Sequence, residues 1–129
     1  MPSLVRKILV IDDERDFADV LKSNLETATG CIVVTAYNGR EGLKLAREEK
    51  PDLILLDVMM PGLTGLDVLK RLKEDVKTVS IPVMMLTAVA DDKVKERAGI
   101  LYDEDYIEKP VQIDALKERI NAVLSRYGK

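Results

Sequence analysis

The sequence predicts an α/β domain built on a doubly wound, five-stranded parallel sheet with helices on both faces. Two observations carry the prediction. Short, nearly continuous aliphatic runs alternate with stretches of helical periodicity, as expected of parallel strands buried on both sides. In addition, Gly and Pro fall at the boundaries between them, at Gly30, Pro51 and Pro82.

The first strand is Ile8-Leu9-Val10-Ile11, which leads into Asp12-Asp13-Glu14. Phe17, Val20, Leu21, Leu25 and Ala28 then fall on one face of a first helix, which Gly30 ends. Cys31 heads the second strand, over 32–35, and is read as a small buried hydrophobe. A second helical stretch reaches Pro51, and the third strand, Leu53-Ile54-Leu55-Leu56, delivers Asp57. Leu66, Leu69, Leu72 and Val76 make the stripe of a third helix, and Pro82 opens a fourth strand that ends at Thr87. The fourth helix, over 91–98, has only a thin apolar stripe of Val94, Ala98 and Leu101. A short fifth strand over 105–107 precedes Lys109-Pro110, and Ile113, Leu116, Ile120 and Val123 line the last helix.

A length of 129 residues fits one domain with a real core. The net charge of −3, from 20 basic and 23 acidic residues without a basic cluster, argues against a nucleic-acid or membrane surface. The sequence has no amino-terminal apolar segment of the secretory kind and no run of membrane-spanning length, so a cytoplasmic setting is expected. A single cysteine excludes an internal disulfide. The absence of histidine excludes His-based zinc sites, Ser-His-Asp triads and a phosphohistidine donor.

In an open parallel sheet, ligands bind outside the carboxyl ends of the strands. Here those ends carry Asp12 and Asp13, Asp57, Thr87 and Lys109. Each has an ordinary reading alone: the acidic pair could cap a helix, Asp57 could end a strand in a turn, and Thr87 is a good strand former. Together they bring three carboxylates, a hydroxyl and an ammonium to one edge. Such carboxylates need a compensating cation to ionise side by side, and hard oxygen ligands suit Mg²⁺. A carboxylate can itself accept a phosphoryl group, with charge offset by the metal and Lys109 and a hydrogen bond from Thr87.

The stretches Ile8 to Glu14, Leu56-Asp57-Val58-Met59-Met60-Pro61-Gly62, Leu86-Thr87-Ala88 and Asp105 to Pro110 resemble the response-regulator receiver family of two-component and phosphorelay signalling. The resemblance spans essentially the whole chain, so 1–129 is expected to be a single receiver domain without an output domain. It implies a flavodoxin-like sheet in the order 2-1-3-4-5. It implies that Asp57 is the phosphoryl acceptor and that Asp12, Asp13, Asp57 and the Met59 carbonyl hold Mg²⁺ or Mn²⁺. Thr87 and Lys109 would contact the phosphoryl group, and the Lys109–Pro110 bond would be cis. Thr87 and Tyr106 would form the switch that alters the face of the fourth helix, fifth strand and fifth helix; alone, Tyr106 reads as a half-buried strand aromatic. Met59 and Val89 flank the path of water to the acyl phosphate and would tune its lifetime. A histidine kinase or histidine phosphotransfer protein is the implied donor, with an unnamed downstream protein and a monomer or phosphorylation-dependent dimer.

The sequence departs from the family pattern at Tyr102 and Asp103, where Gly-Ala is usual, so the fourth helix and its loop are expected to differ. Thr64 stands where an acid is common, and Val111 where Phe is common. Three alternatives frame the reading. A flavodoxin-like cofactor binder would need a phosphate-cradling loop where Asp12-Asp13-Glu14 stands. An aspartate-nucleophile phosphatase would need a second acid where Met59 stands. A receiver-like docking module, never phosphorylated, would usually lose a member of the acid–threonine–lysine set.

Overall fold

The computed structural model describes residues 6–87 and 105–126. The elements run β1 (Lys7–Ile11), α1 (Arg15–Thr29), β2 (Ile32–Ala36), α2 (Gly39–Glu49), β3 (Leu53–Asp57), α3 (Gly65–Glu74), β4 (Val83–Thr87), β5 (Asp105–Glu108) and α4 (Ile113–Arg126). Helix α4 is the last helix of the sequence pattern. The fourth helix, expected over 91–98, lies outside the described residues, as do Val89, Tyr102 and Asp103. The five strands form one parallel sheet in the order β2-β1-β3-β4-β5, the flavodoxin-like order expected.

The alternation of side chains along a strand explains the two layers. Ile8 and Val10 of β1, Leu53 and Leu55 of β3, and Met84 and Leu86 of β4 face one side, where α1 and α4 cover them. Leu9, Ile11, Ile54, Leu56, Val83 and Met85 face the other, where α2 and α3 cover them. Both faces of the central strands are therefore dry, which is why their sequences are aliphatic without interruption.

Local chemistry sets the helix ends. Gly30 adopts φ 73° after α1 and donates its N–H to the Glu26 carbonyl at 3.0 Å, a left-handed stop that suits glycine. Asn38 caps α2 by accepting the Glu41 N–H at 2.8 Å. Thr64, at the position where the family favours an acid, forms a reciprocal capping box with Asp67 at the start of α3.

The stripes predicted for the helices need correction at two positions. Val20 is 60% exposed, because the buried line of α1 is Ala18, Leu21 and Leu25, with the small Ala18 against the sheet. Val76 is 88% exposed, because Asp75 is extended and ends α3 before the stripe reaches it. Strand β2 is also less buried than its sequence suggests. It is an edge strand, so Ile32 is exposed and the preceding Cys31, free of any disulfide, is only half-buried.

Candidate functional site

Register builds the site. Ile11 pairs with Leu56 across β1 and β3, so the next residues, Asp12 and Asp57, emerge side by side at the carboxyl edge. The chain turns to opposite sides of the sheet from these two strands, and this switch point opens the crevice that binds ligands in such sheets. Backbone bonds pin both strand ends: Asp12 donates its N–H to the Ala36 carbonyl at 3.0 Å, and Val58, next to Asp57, donates to the Leu86 carbonyl at 2.8 Å. Thr87 closes β4 in register with Glu108, so Lys109 follows immediately beyond it. The Lys109–Pro110 peptide is cis.

Asp12, Asp13 and Asp57 each offer a carboxylate oxygen within 4.8 Å of the others, with Asp12 and Asp57 buried and Asp13 half-buried. Lys109, whose side chain is 11% exposed, lies 2.9 Å from Asp12 Oδ2, 3.1 Å from Glu14 Oε1 and 3.8 Å from Asp57 Oδ1. Its ammonium also sits 4.2 Å from the centre of the Phe17 ring. Asp12 Oδ1 accepts the Glu14 N–H at 2.9 Å, so this carboxylate shapes the turn into α1 rather than capping the helix. Met59 donates its N–H to Asp57 Oδ1 at 3.2 Å, while its side chain is 68% exposed. Tyr106 is half-buried and packs on the α2–α3 side of the sheet.

Two buried carboxylates beside one ammonium leave negative charge in excess. Burial, and next the charge on Asp12, push the Asp57 carboxyl up to about 7, against the pull of Lys109 and the Met59 N–H. Burial alone would depress the Lys109 ammonium, but its contacts with Asp12, Asp57 and Glu14 outweigh it and raise its pKa above the usual value. Asp57 Oδ2 is buried without a hydrogen-bond partner among the described residues. Asp12 Oδ2 is also buried, and Lys109 reaches it as an ion pair rather than as an aligned hydrogen bond. Buried oxygens of this kind call for a partner, and a cluster of hard carboxylate oxygens fits a divalent cation.

The response regulator receiver domain model matches residues 8–121. The chain belongs to this family. It is 42% identical over 121 residues to the alkaline phosphatase synthesis transcriptional regulatory protein PhoP of Bacillus subtilis, covering 94% of this chain and 49% of that protein. This receiver chain therefore spans about half the length of that relative. Among solved structures, a CheY-like receiver domain protein from Methanospirillum hungatei superposes with a TM-score of 0.88 at 27% identity, over 96% of this chain and 97% of the other. The N-terminal domain of a response regulator receiver protein from Methanoculleus marisnigri is 40% identical, with a TM-score of 0.72 over 95% and 98% of the two chains.

The structure of the receiver brings Asp12, Asp13, Asp57 and Lys109 together, with the backbone of Met59 beside them. It adds two residues that sequence reasoning missed, Glu14 and Phe17, both in contact with Lys109. Their only sequence signal was proximity to the acidic pair, since Phe17 also fits the core stripe of α1.

Proposed function

We propose that this receiver is a phosphorylation-dependent signalling switch. It takes a phosphoryl group onto Asp57 from the phosphohistidine of a histidine kinase or histidine phosphotransfer protein. The observation that carries the reading is the buried Asp57 carboxylate, with one oxygen unpartnered among the described residues and two further carboxylates and an ammonium around it. In the transfer, an Asp57 oxygen bonds to phosphorus as the phosphorus–nitrogen bond to the donor imidazole breaks, and the departing imidazole takes up a proton.

Asp12, Asp13, Asp57 and the Met59 carbonyl hold Mg²⁺ or Mn²⁺, which when bound supplies positive charge against the phosphoryl oxygens. Lys109 adds a second positive charge, and the Thr87 hydroxyl donates a hydrogen bond to the phosphoryl group. Thr87 and Tyr106 then transmit the new state to the face of β5 and α4, together with the helix expected over 91–98, where a downstream protein reads it. The switch works in the cytoplasm as a monomer or a phosphorylation-dependent dimer, as a single receiver unit over 1–129. Among the described residues, no helix is long and apolar enough to cross a membrane.

Intact-mass measurement after treatment with acetyl phosphate and Mg²⁺ tests this. We expect a phosphoryl mass gain in wild type that disappears in Asp57→Asn. No gain in wild type would overturn the switch and leave a docking module.

A further inference from the structure

Away from the acidic cluster, α2 and α3 flank an open cavity of about 360 Å³ lined by Arg40, Leu43 and Arg47 of α2, Arg71 of α3, and Asp75 and Thr78 just beyond it. Positions 40, 43 and 47 recur at helical spacing, so one face of α2 presents two guanidiniums across an apolar floor. Arg71 supplies a third from the neighbouring helix.

Of these three groups only Arg47 has a carboxylate partner among the described residues, Asp75. Arg71 has Asp67 four residues before it and Asp75 four after. Asp67 is committed to the capping box with Thr64, and Asp75 pairs with Arg47 at 3.7 Å while accepting the Lys77 N–H at 2.9 Å. Arg40 has Lys44 at the corresponding position. Neither the Arg40 nor the Arg71 side chain makes an ion pair or hydrogen bond among the described residues. The Thr78 hydroxyl is also spoken for, since it donates to the Leu72 carbonyl at 2.7 Å.

Two uncommitted guanidiniums thus face one concavity in a chain with more acids than bases. We propose that this cavity is a binding site for a small multivalent phosphate anion. The planar fork of arginine matches phosphate oxygens in a way a lysine does not. The volume is that of a small-molecule pocket, which starts at roughly 300 Å³. Among the described residues no aromatic side chain lines it to stack a nucleobase, so clustered phosphate charge is what the site recognises. Asp75 works against the anion and limits its affinity.

Titration calorimetry of the whole chain with pyrophosphate tests the site. Divalent-free buffer keeps the acidic cluster from binding the anion. Expected are saturable binding at one site, a loss of about tenfold or more in Arg40→Ala/Arg71→Ala at an unchanged thermal midpoint, and tighter binding in Asp75→Asn. Lys109→Ala is expected to bind pyrophosphate as wild type does. The proposal is overturned if wild type shows no saturable binding, or if binding survives the double arginine variant. It is also overturned if an octaglutamate peptide binds while pyrophosphate does not, which would make the cavity a dock for an acidic protein segment.

Discussion

Lys109 stands where three carboxylates and a ring compete for one ammonium, and its position is set by the nearest of them. Asp12 at 2.9 Å and Glu14 at 3.1 Å hold it more closely than Asp57 at 3.8 Å, and the Phe17 ring lies against it. The carboxylates at strand ends were legible in sequence because each follows an aliphatic run without a break. The grip on Lys109 was not, because Glu14 lies 95 positions away and nothing local marks the pair. For Met59 we predict a kinetic role. Its N–H faces Asp57 Oδ1 while its exposed apolar side chain offers an approaching water no hydrogen bond. We predict that phosphorylated Met59→Asn/Val89→Glu loses its phosphoryl group faster than wild type, by about tenfold, equivalent to ~1.4 kcal/mol in the barrier. Decay of the phosphorylated mass in a time course measures this, and equal or slower loss from the variant would refute it.

Elements were legible where periodicity was strong and both faces were buried, as in β1 and β3, and less so where tertiary context decided. The stripe of α1 placed Val20 inward, yet a helix lying close to a sheet favours its smallest residue there, and Ala18 takes that place. The stripe of α3 ran on to Val76, yet the extended Asp75 stops the helix, a backbone choice that hydrophobic spacing does not encode. The start of α3 carries the tighter steric constraint. Gly65 donates its N–H to Val58 at 2.9 Å, and a Cβ there would strike the Asp57 carbonyl and Val58 Cα. Helix α3 therefore abuts the backbone of Asp57 itself. Thr64→Ala removes only the cap and should cost ~1 kcal/mol. Gly65→Ala forces the helix off the strand end and should cost more, about 2–3 kcal/mol. Urea unfolding of the two variants compares them directly; a loss in Gly65→Ala no larger than in Thr64→Ala would show that the helix start yields without strain.

Across the whole molecule, apolar burial on both faces of the sheet supplies stability, and the acidic edge subtracts from it. Asp12, Asp57 and Thr78 are the buried polar side chains among the described residues; Thr78 is hydrogen-bonded, while Asp57 keeps an unpartnered oxygen. The folded Asp57 carboxyl titrates at about 7, against 3.8 for an unperturbed group. Between these values the folded state holds a proton that the unfolded chain has released, so this residue makes stability fall as pH rises through that window. Above it, without divalent cation, Asp57→Asn should be more stable than wild type by on the order of 2 kcal/mol, with the difference closing toward pH 4. Mg²⁺ should narrow the gap at neutral pH. A cation bound only by the folded state stabilises it by mass action, and the Asp57→Asn variant, with a neutral amide in place of the carboxylate, binds that cation more weakly. Urea unfolding of both proteins across pH, with and without Mg²⁺, reads all of this at once. A wild-type deficit that is independent of pH would place the cost of the acidic edge somewhere other than the charge on Asp57.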